Sequence, residues 1–304
     1  MTGQAGNTTE QAGDTRERLR REFARIGLIG CGTMGAGVAE LAARAGCEVL
    51  VRVSSPASEA AGRGRITASM DRAVAKGKIG KSERDEQLER ISFTTRIEDL
   101  ADRPLVIEAV REEEPLKAQV LARAAEVLTD ERAVLATNTS SLPISRLAGY
   151  TGRPEQVVGI HFFNPAPVMP LVELVPSLRT RPEILARAES FVRDLLGKTV
   201  IQAPDRAGFI VNSLLFPYLL SAIRLVESGT AAETVDAGMT LGCSHPLGPL
   251  RLADLIGLDV TASIAQAMHE ETGEPLHAPP PLLLRMVDCG LLGRKSGRGF
   301  YTYA

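Results

Sequence analysis

The sequence predicts an α/β protein in which a doubly wound, mainly parallel sheet over residues 23–205 is followed by an all-α C-terminal domain over residues 206–304. Three observations predict it. Short apolar runs alternate with amphipathic helical spacing through the first two thirds of the chain, as a parallel sheet with helices on both faces requires. The first run ends in a glycine-rich turn that opens a helix, in "GLIGCGTMGAGVAE". From Arg206 onward, helical segments follow one another without a convincing strand between them.

Taken in order, residues 1–22 are polar and read as a disordered tail. "ARIGLIG" is a strand running into a tight turn, and "TMGAGVAELAARAG" is an alanine-rich helix stopped by Gly46. "CEVLV" supplies a second strand. The charged segment after it reads as long helices broken near Gly77 and Gly80. "ISFTT", "LVIEAV", "AVLATN" and "QVVGIHF" are further strands, with "EPLKAQVLARAAEVLT" a helix between two of them. In the second domain, "FIVNSLLFPYLLSAIRLVESG", "AAETVDAGMTLG", "LRLADLIGLDVTASIAQAMHEETG" and "PLLLRMVDCGLL" each read as one helix, and "HAPPP" at 277–281 as a turn.

Composition limits the function classes. The 304 residues carry 35 basic and 37 acidic side chains, a balance that gives no reason to expect a nucleic acid or an anionic membrane as partner. A small ligand is the better expectation. The stretch from Phe209 is interrupted by Asn212, Pro217 and Arg224, so it reads as a buried helix and not a membrane span. Cys31, Cys47, Cys243 and Cys289 are scattered, without the pairing of a disulfide framework or a zinc site, and are expected as reduced core thiols with no metal. The polar N-terminus lacks the apolar core of a signal peptide, which implies a cytoplasmic location. The apolar helical domain fits a homodimer.

Gly30, Gly32 and Gly35 have the G-x-G-x-x-G spacing. Following a strand and opening a helix, that turn is a dinucleotide site, with Thr33 and Met34 beside the cofactor phosphates. About 20 residues further on, a carboxylate is expected where an adenine ribose carries free hydroxyls. This chain has Arg52, Val53, Ser54 and Ser55 there. A guanidinium with two hydroxyls suits a 2′-phosphate, so NADP is favoured as cofactor, with NAD as the alternative in which Arg52 is a solvated bystander.

His161 should end a strand at the carboxyl edge of the sheet, where it can exchange a proton near neutral pH. Glu173 sits in an apolar "LVELV" strand, and a lone carboxylate there needs a partner such as that histidine. Spacing alone does not show that Ser140, His161, Glu173 and Asn212 meet.

The motifs "GCGTMGAGVA", "NTSSLP", "HFFNPAPVMPLVE", "DRAGFIVN", "HPLGPLRLADLIGLD" and "GRKSGRGFY" occur in an order that resembles the L-3-hydroxyacyl-CoA dehydrogenase family, and in particular its short bacterial 3-hydroxybutyryl-CoA members. The resemblance covers about Arg25 to Tyr303. It implies a Rossmann-type first domain, a helical dimerisation domain, and an acyl-CoA thioester bound in the cleft between them. It further implies an oxidoreductase that interconverts (S)-3-hydroxyacyl and 3-ketoacyl thioesters with NAD(P). His161 matches the general acid/base and Glu173 its orienting partner, while Ser140 and Asn212 match residues that hydrogen-bond the substrate. Glu112 and Lys117 match positions near the nicotinamide, although Lys117 reads equally as a solvated helix start. Ser69 and Lys76 match contacts to coenzyme A. His245 is assigned to packing, and His269 and His277 to the surface.

The chain departs from the family pattern at Arg52–Val53, at Glu113 and at Ser213. Two alternatives stay open. One is the same chemistry on an acyl-carrier-protein substrate, with Arg63, Arg65, Arg72, Lys76 and Lys78 as a basic rim. The other is a non-catalytic structural relative.

Overall fold

The computed structural model describes residues 16–303. The chain divides into two units, the first ending at Asp205 and the second beginning at Arg206, each with its own apolar core.

The first unit is built on eight strands: β1 (Arg25–Ile29), β2 (Glu48–Arg52), β3 (Ile91–Thr94), β4 (Leu105–Glu108), β5 (Val134–Thr137), β6 (Val157–Phe162), β7 (Leu171–Pro176) and β8 (Thr199–Gln202). They stand in the order β3-β2-β1-β4-β5-β6-β7-β8. Only β6 and β7 pair antiparallel. The strands β4, β5 and β6 are buried at every position, which is why they read as unbroken apolar runs. The chain leaves β1 for β2 on one side and reaches β4 on the other, so a crevice opens at the carboxyl ends of β1 and β4.

Helices α1 (Thr33–Arg44), α2 (Pro56–Ala75), α3 (Lys81–Glu89), α4 (Glu114–Val127), α5 (Ile144–Gly149) and α6 (Pro182–Ser190) complete this unit. Strand β8 has no counterpart in the sequence reading. It is a four-residue edge strand with no alternation of burial, so no period-2 signal marks it.

The tail expected over residues 1–22 is corrected at its end. Residues 16–22 are helical, Leu19 and Phe23 are buried, Phe23 packs on Phe191 with ring centroids 5.2 Å apart, and Glu22 accepts from Arg187 at 2.7 Å. A single leucine and phenylalanine facing an apolar surface suffice to dock a segment that is otherwise polar. Residues 1–15 lie outside the described residues.

The second unit comprises α7 (Val211–Glu227), α8 (Ala232–Gly242), α9 (Pro249–Ile256), α10 (Leu258–Thr272) and α11 (Pro281–Asp288) around Leu219, Ile223, Leu250 and Leu283. The one helix expected across "LRLADLIGLDVTASIAQAMHEETG" is two, divided at Gly257, whose φ of 107° no helix accommodates. Asp254 accepts from the amides of Phe300 and Tyr301 and from the Tyr303 hydroxyl, pinning the C-terminal segment.

Two of the four cysteines are not core thiols: Cys243 and Cys289 cap the C-terminal ends of α8 and α11 and are exposed, whereas Cys31 and Cys47 are buried. Among the described residues, no helix is long and apolar enough to cross a membrane.

Candidate active site

The turn after β1 is shaped by what its glycines exclude. Gly30 has φ 95°, and a side chain there would meet the Ala109 carbonyl oxygen at 2.6 Å. At Gly35 an added Cβ would stand 2.2 Å from the Gly30 oxygen, so helix and turn touch backbone to backbone. Gly32 differs: an added Cβ meets no protein atom within 4 Å. Its open side faces a cavity of about 640 Å³ whose walls include Thr33, Met34, Arg52, Ser54 and Arg65. Gly32 is also the N-cap of α1 and offers no side-chain cap, so the first-turn amides of a 12-residue helix are left for an anion. A dinucleotide with its pyrophosphate on these amides fits the residues present.

At the end of β2, Arg52 lines the same cavity, while its Nε is buried without a hydrogen-bond partner among the described residues. Val53, where a ribose-binding carboxylate is expected, is 2% exposed. Ser54 lines the cavity, with its hydroxyl 3.1 Å from that of Ser58. Ser55 is not among the residues that line it; its hydroxyl accepts from the Ser58 amide at 3.2 Å as the N-cap of α2.

The expected solvated start of α4 is also corrected. Lys117 is fully buried. Its ammonium donates to both oxygens of Glu108, at 2.9 and 3.0 Å, and lies 3.2 Å from Glu112. Enclosed in this way, Lys117 ties Glu108 and Glu112 together. Glu108, at the end of β4, also accepts from the Val110 amide at 2.6 Å and the Thr137 hydroxyl at 2.7 Å. Glu112 reaches over to the loop after β5, accepting from the Thr139 hydroxyl, from the Ser140 amide at 2.9 Å and from the Ser141 amide at 3.2 Å. Burial pushes its carboxyl upward, but the Lys117 charge and these hydrogen bonds outweigh burial and hold it below its usual range.

His161 and Glu173 face each other directly across the β6–β7 pair. The Nδ1 of His161 is 2.7 Å from a Glu173 carboxylate oxygen, and both side chains are buried. The Phe163 ring lies 4.7 Å from the imidazole, centroid to centroid. With Nδ1 held by the carboxylate, the ring is fixed in one orientation. Ser140 follows β5, the parallel neighbour of β6. Between them Asn138 accepts from the Phe162 amide at 2.9 Å, coupling the serine loop to the histidine strand. Asn212 belongs to the second unit, buried in the first turn of α7.

A second cavity, of about 400 Å³, is lined by Thr33, Gly37, Arg65, Ser69, Arg72 and Pro165, among others. It therefore includes Ser69 but not Lys76, which caps the far end of α2 in the open. Of the five basic residues expected as a rim, only Arg65 and Arg72 line it; Arg63 turns to Glu59 at 2.9 Å and over the Phe93 ring.

Glu113 pairs with Arg111 at 2.9 Å on the surface, and the Ser213 hydroxyl donates to the Ile210 carbonyl at 2.8 Å. The Nδ1 of His245 is 3.0 Å from the Tyr218 hydroxyl, in keeping with a packing role. The sequence reading missed Glu108 and Asn138, and it placed Arg65 only in a basic rim and not beside the nucleotide turn. Only Glu108 carried a signal, as a lone carboxylate ending the apolar "LVIE" strand.

Residues 25–206 match the family described as "3-hydroxyacyl-CoA dehydrogenase, NAD binding domain", and residues 208–303 match its C-terminal domain. The chain belongs to the 3-hydroxyacyl-CoA dehydrogenase family. It is an oxidoreductase of the NAD(P)-dependent 3-hydroxyacyl-CoA dehydrogenase class. A 3-hydroxybutyryl-CoA dehydrogenase from Mycobacterium tuberculosis is 55% identical over 280 residues, 92% of this chain and 98% of the relative. One described as probable, from Deinococcus radiodurans, is 42% identical over 280 residues, 92% of this chain and all of the relative. Among solved structures, M. tuberculosis FadB2 superposes with a TM-score of 0.91 at 55% identity, over 93% of this chain and 99% of that one. The (S)-3-hydroxybutyryl-CoA dehydrogenase PaaH1 of Ralstonia eutropha gives 0.86 at 38% identity, with 93% and 99% covered.

Proposed function

We propose that the protein interconverts (S)-3-hydroxybutyryl-CoA and acetoacetyl-CoA and prefers NADP(H) to NAD(H). The observation that carries the chemistry is the buried His161–Glu173 pair at the carboxyl edge of the sheet. The chemistry supplied by a bound nicotinamide is hydride exchange with substrate C3.

His161 gives the proton from Nε2 to the substrate 3-oxygen during reduction and takes it back during oxidation. Glu173 stabilises the imidazolium present on one side of that exchange and keeps the ring from turning. Ser140 and Asn212 hydrogen-bond the substrate near the reacting oxygen. Glu112 holds the Ser140 amide, and Asn138 holds the strand beside it, so the serine is presented from a braced loop.

The NADP preference rests on Arg52 and Ser54, which line the same cavity, and on Val53 where an acid would repel a 2′-phosphate. The proposal extends to a homodimeric, cytoplasmic enzyme; exposed Leu214, Leu241 and Leu255 on the helical unit support the first of these.

The test is the initial rate of acetoacetyl-CoA reduction with NADPH and with NADH across a concentration series. A kcat/KM at least about tenfold higher with NADPH, lost in Arg52→Ala, is the expected result, since one charge-assisted phosphate contact supplies that much discrimination. Equal or better use of NADH would overturn the preference while leaving the reaction in place. No turnover with either would overturn the reaction itself.

A further inference from the structure

Thr33 and Arg65 are the residues common to the walls of the two cavities. Arg65 projects from α2, donates to the Cys31 carbonyl oxygen at 3.1 Å, and has no carboxylate partner among the described residues. Its charge is therefore not cancelled within the protein. On one side lies the turn whose amides suit a pyrophosphate. On the other lies the cavity that also holds Arg72, Ser69 and the Asn164–Pro167 loop leading away from His161. An acyl-CoA reaching His161 past that loop has phosphates to place beside these arginines.

We propose that Arg65 is a cation shared by the two ligands, countering the cofactor's pyrophosphate on one side and the phosphates of the CoA thioester on the other. The inference rests on the acyl-CoA reading above. Two polyanions bound within reach of one another repel, and a guanidinium in the common wall offsets that repulsion. Removing the charge weakens each ligand alone, and it also makes each oppose the other.

The experiment is calorimetric titration of acetoacetyl-CoA into the protein, with and without saturating oxidised cofactor, a pair that does not turn over. Arg65→Gln keeps a donor for the Cys31 oxygen but not the charge, and Arg65→Lys keeps the charge without the fork. Wild type and Arg65→Lys are expected to bind the thioester with less than about twofold dependence on cofactor; in Arg65→Gln the cofactor should weaken it by about fivefold or more, with the same factor in the reverse order. Acetoacetyl-pantetheine, which has no phosphate, should bind both proteins with the same cofactor dependence.

Unchanged coupling in Arg65→Gln would overturn the inference. So would an equal change with the pantetheine thioester, since Arg65 would then act only by shaping the turn through Cys31. Failure of the wild-type protein to bind acetoacetyl-CoA would remove the function reading and this inference together, whereas the first two results remove the inference alone.

Discussion

Replacing Lys117 by methionine removes one charge from the middle of a buried network while keeping a side chain of similar reach. The ammonium lies 2.9–3.0 Å from the Glu108 oxygens and 3.2 Å from Glu112. With charge centres about 4 Å apart and an effective dielectric near 20, each pair is worth about 4 kcal/mol before desolvation is subtracted. Sparing the ammonium its burial returns part of that gain. Glu108, however, is left fully buried with only the Val110 amide and the Thr137 hydroxyl. The expected net loss is about 3–5 kcal/mol, the range for breaking a buried pair from one side. For a unit of this size that lowers the melting temperature by roughly 6–20 °C.

The loss also has a pH signature. In the wild type, Glu112 is held below its ordinary value of 4.5, so its stabilisation is fully present above that value and fades as pH falls through the depressed one. Without Lys117, the largest influence opposing burial is gone and the carboxyl shifts upward, which favours the folded variant on acidification. The stability gap between wild type and variant should therefore narrow as pH falls from about 7 to about 5. Urea unfolding of both proteins at a series of pH values, followed by circular dichroism, measures it. A gap below about 1 kcal/mol that does not change with pH would refute the account, because a surface lysine behaves that way.

Glu173→Gln should keep the fold and the KM for acetoacetyl-CoA but lower kcat by roughly two to four orders of magnitude, since the imidazolium loses its counter-charge and its fixed orientation; steady-state kinetics beside a thermal melt separate this from misfolding. Gly32→Val and Gly35→Ala should fail in different ways: the first adds atoms where no protein atom lies within 4 Å and should raise the cofactor KM without changing stability, while the second drives a Cβ to 2.2 Å from the Gly30 oxygen and should destabilise the unit itself. Equal melting temperatures for the two glycine variants would contradict that division. Burial pushes the Cys31 thiol up to about 11 and Cys47 up to about 12, so both stay protonated near neutral pH, and a disulfide reagent should titrate only the exposed Cys243 and Cys289 until the protein is unfolded. Rapid modification of more than these thiols in the native protein would contradict the burial.

Features that depend on near neighbours along the chain are legible in the order of residues. Strand and helix periodicities gave the α/β unit and the helical unit their order, because alternation and 3.6-residue spacing are local consequences of which face is buried. Gly30, Gly32 and Gly35 marked the nucleotide turn for the same reason. His161 and Glu173 were legible as a pair because each is a lone polar residue among apolar strand residues, and such a group needs a partner.

The rest emerges with folding, since burial and cross-strand neighbours arise from residues distant in sequence. Lys117 has the sequence setting of an exposed helix start, and packing of α4 on the sheet is what encloses it between Glu108 and Glu112. Ser54 and Ser55 are adjacent and chemically alike, yet one faces the cavity and the other caps a helix, a difference set by how α2 leaves β2. Arg65 stands in a helix of exposed charges and gives no local sign of its place in a wall common to two cavities, because that wall forms only where α2 crosses the turn after β1.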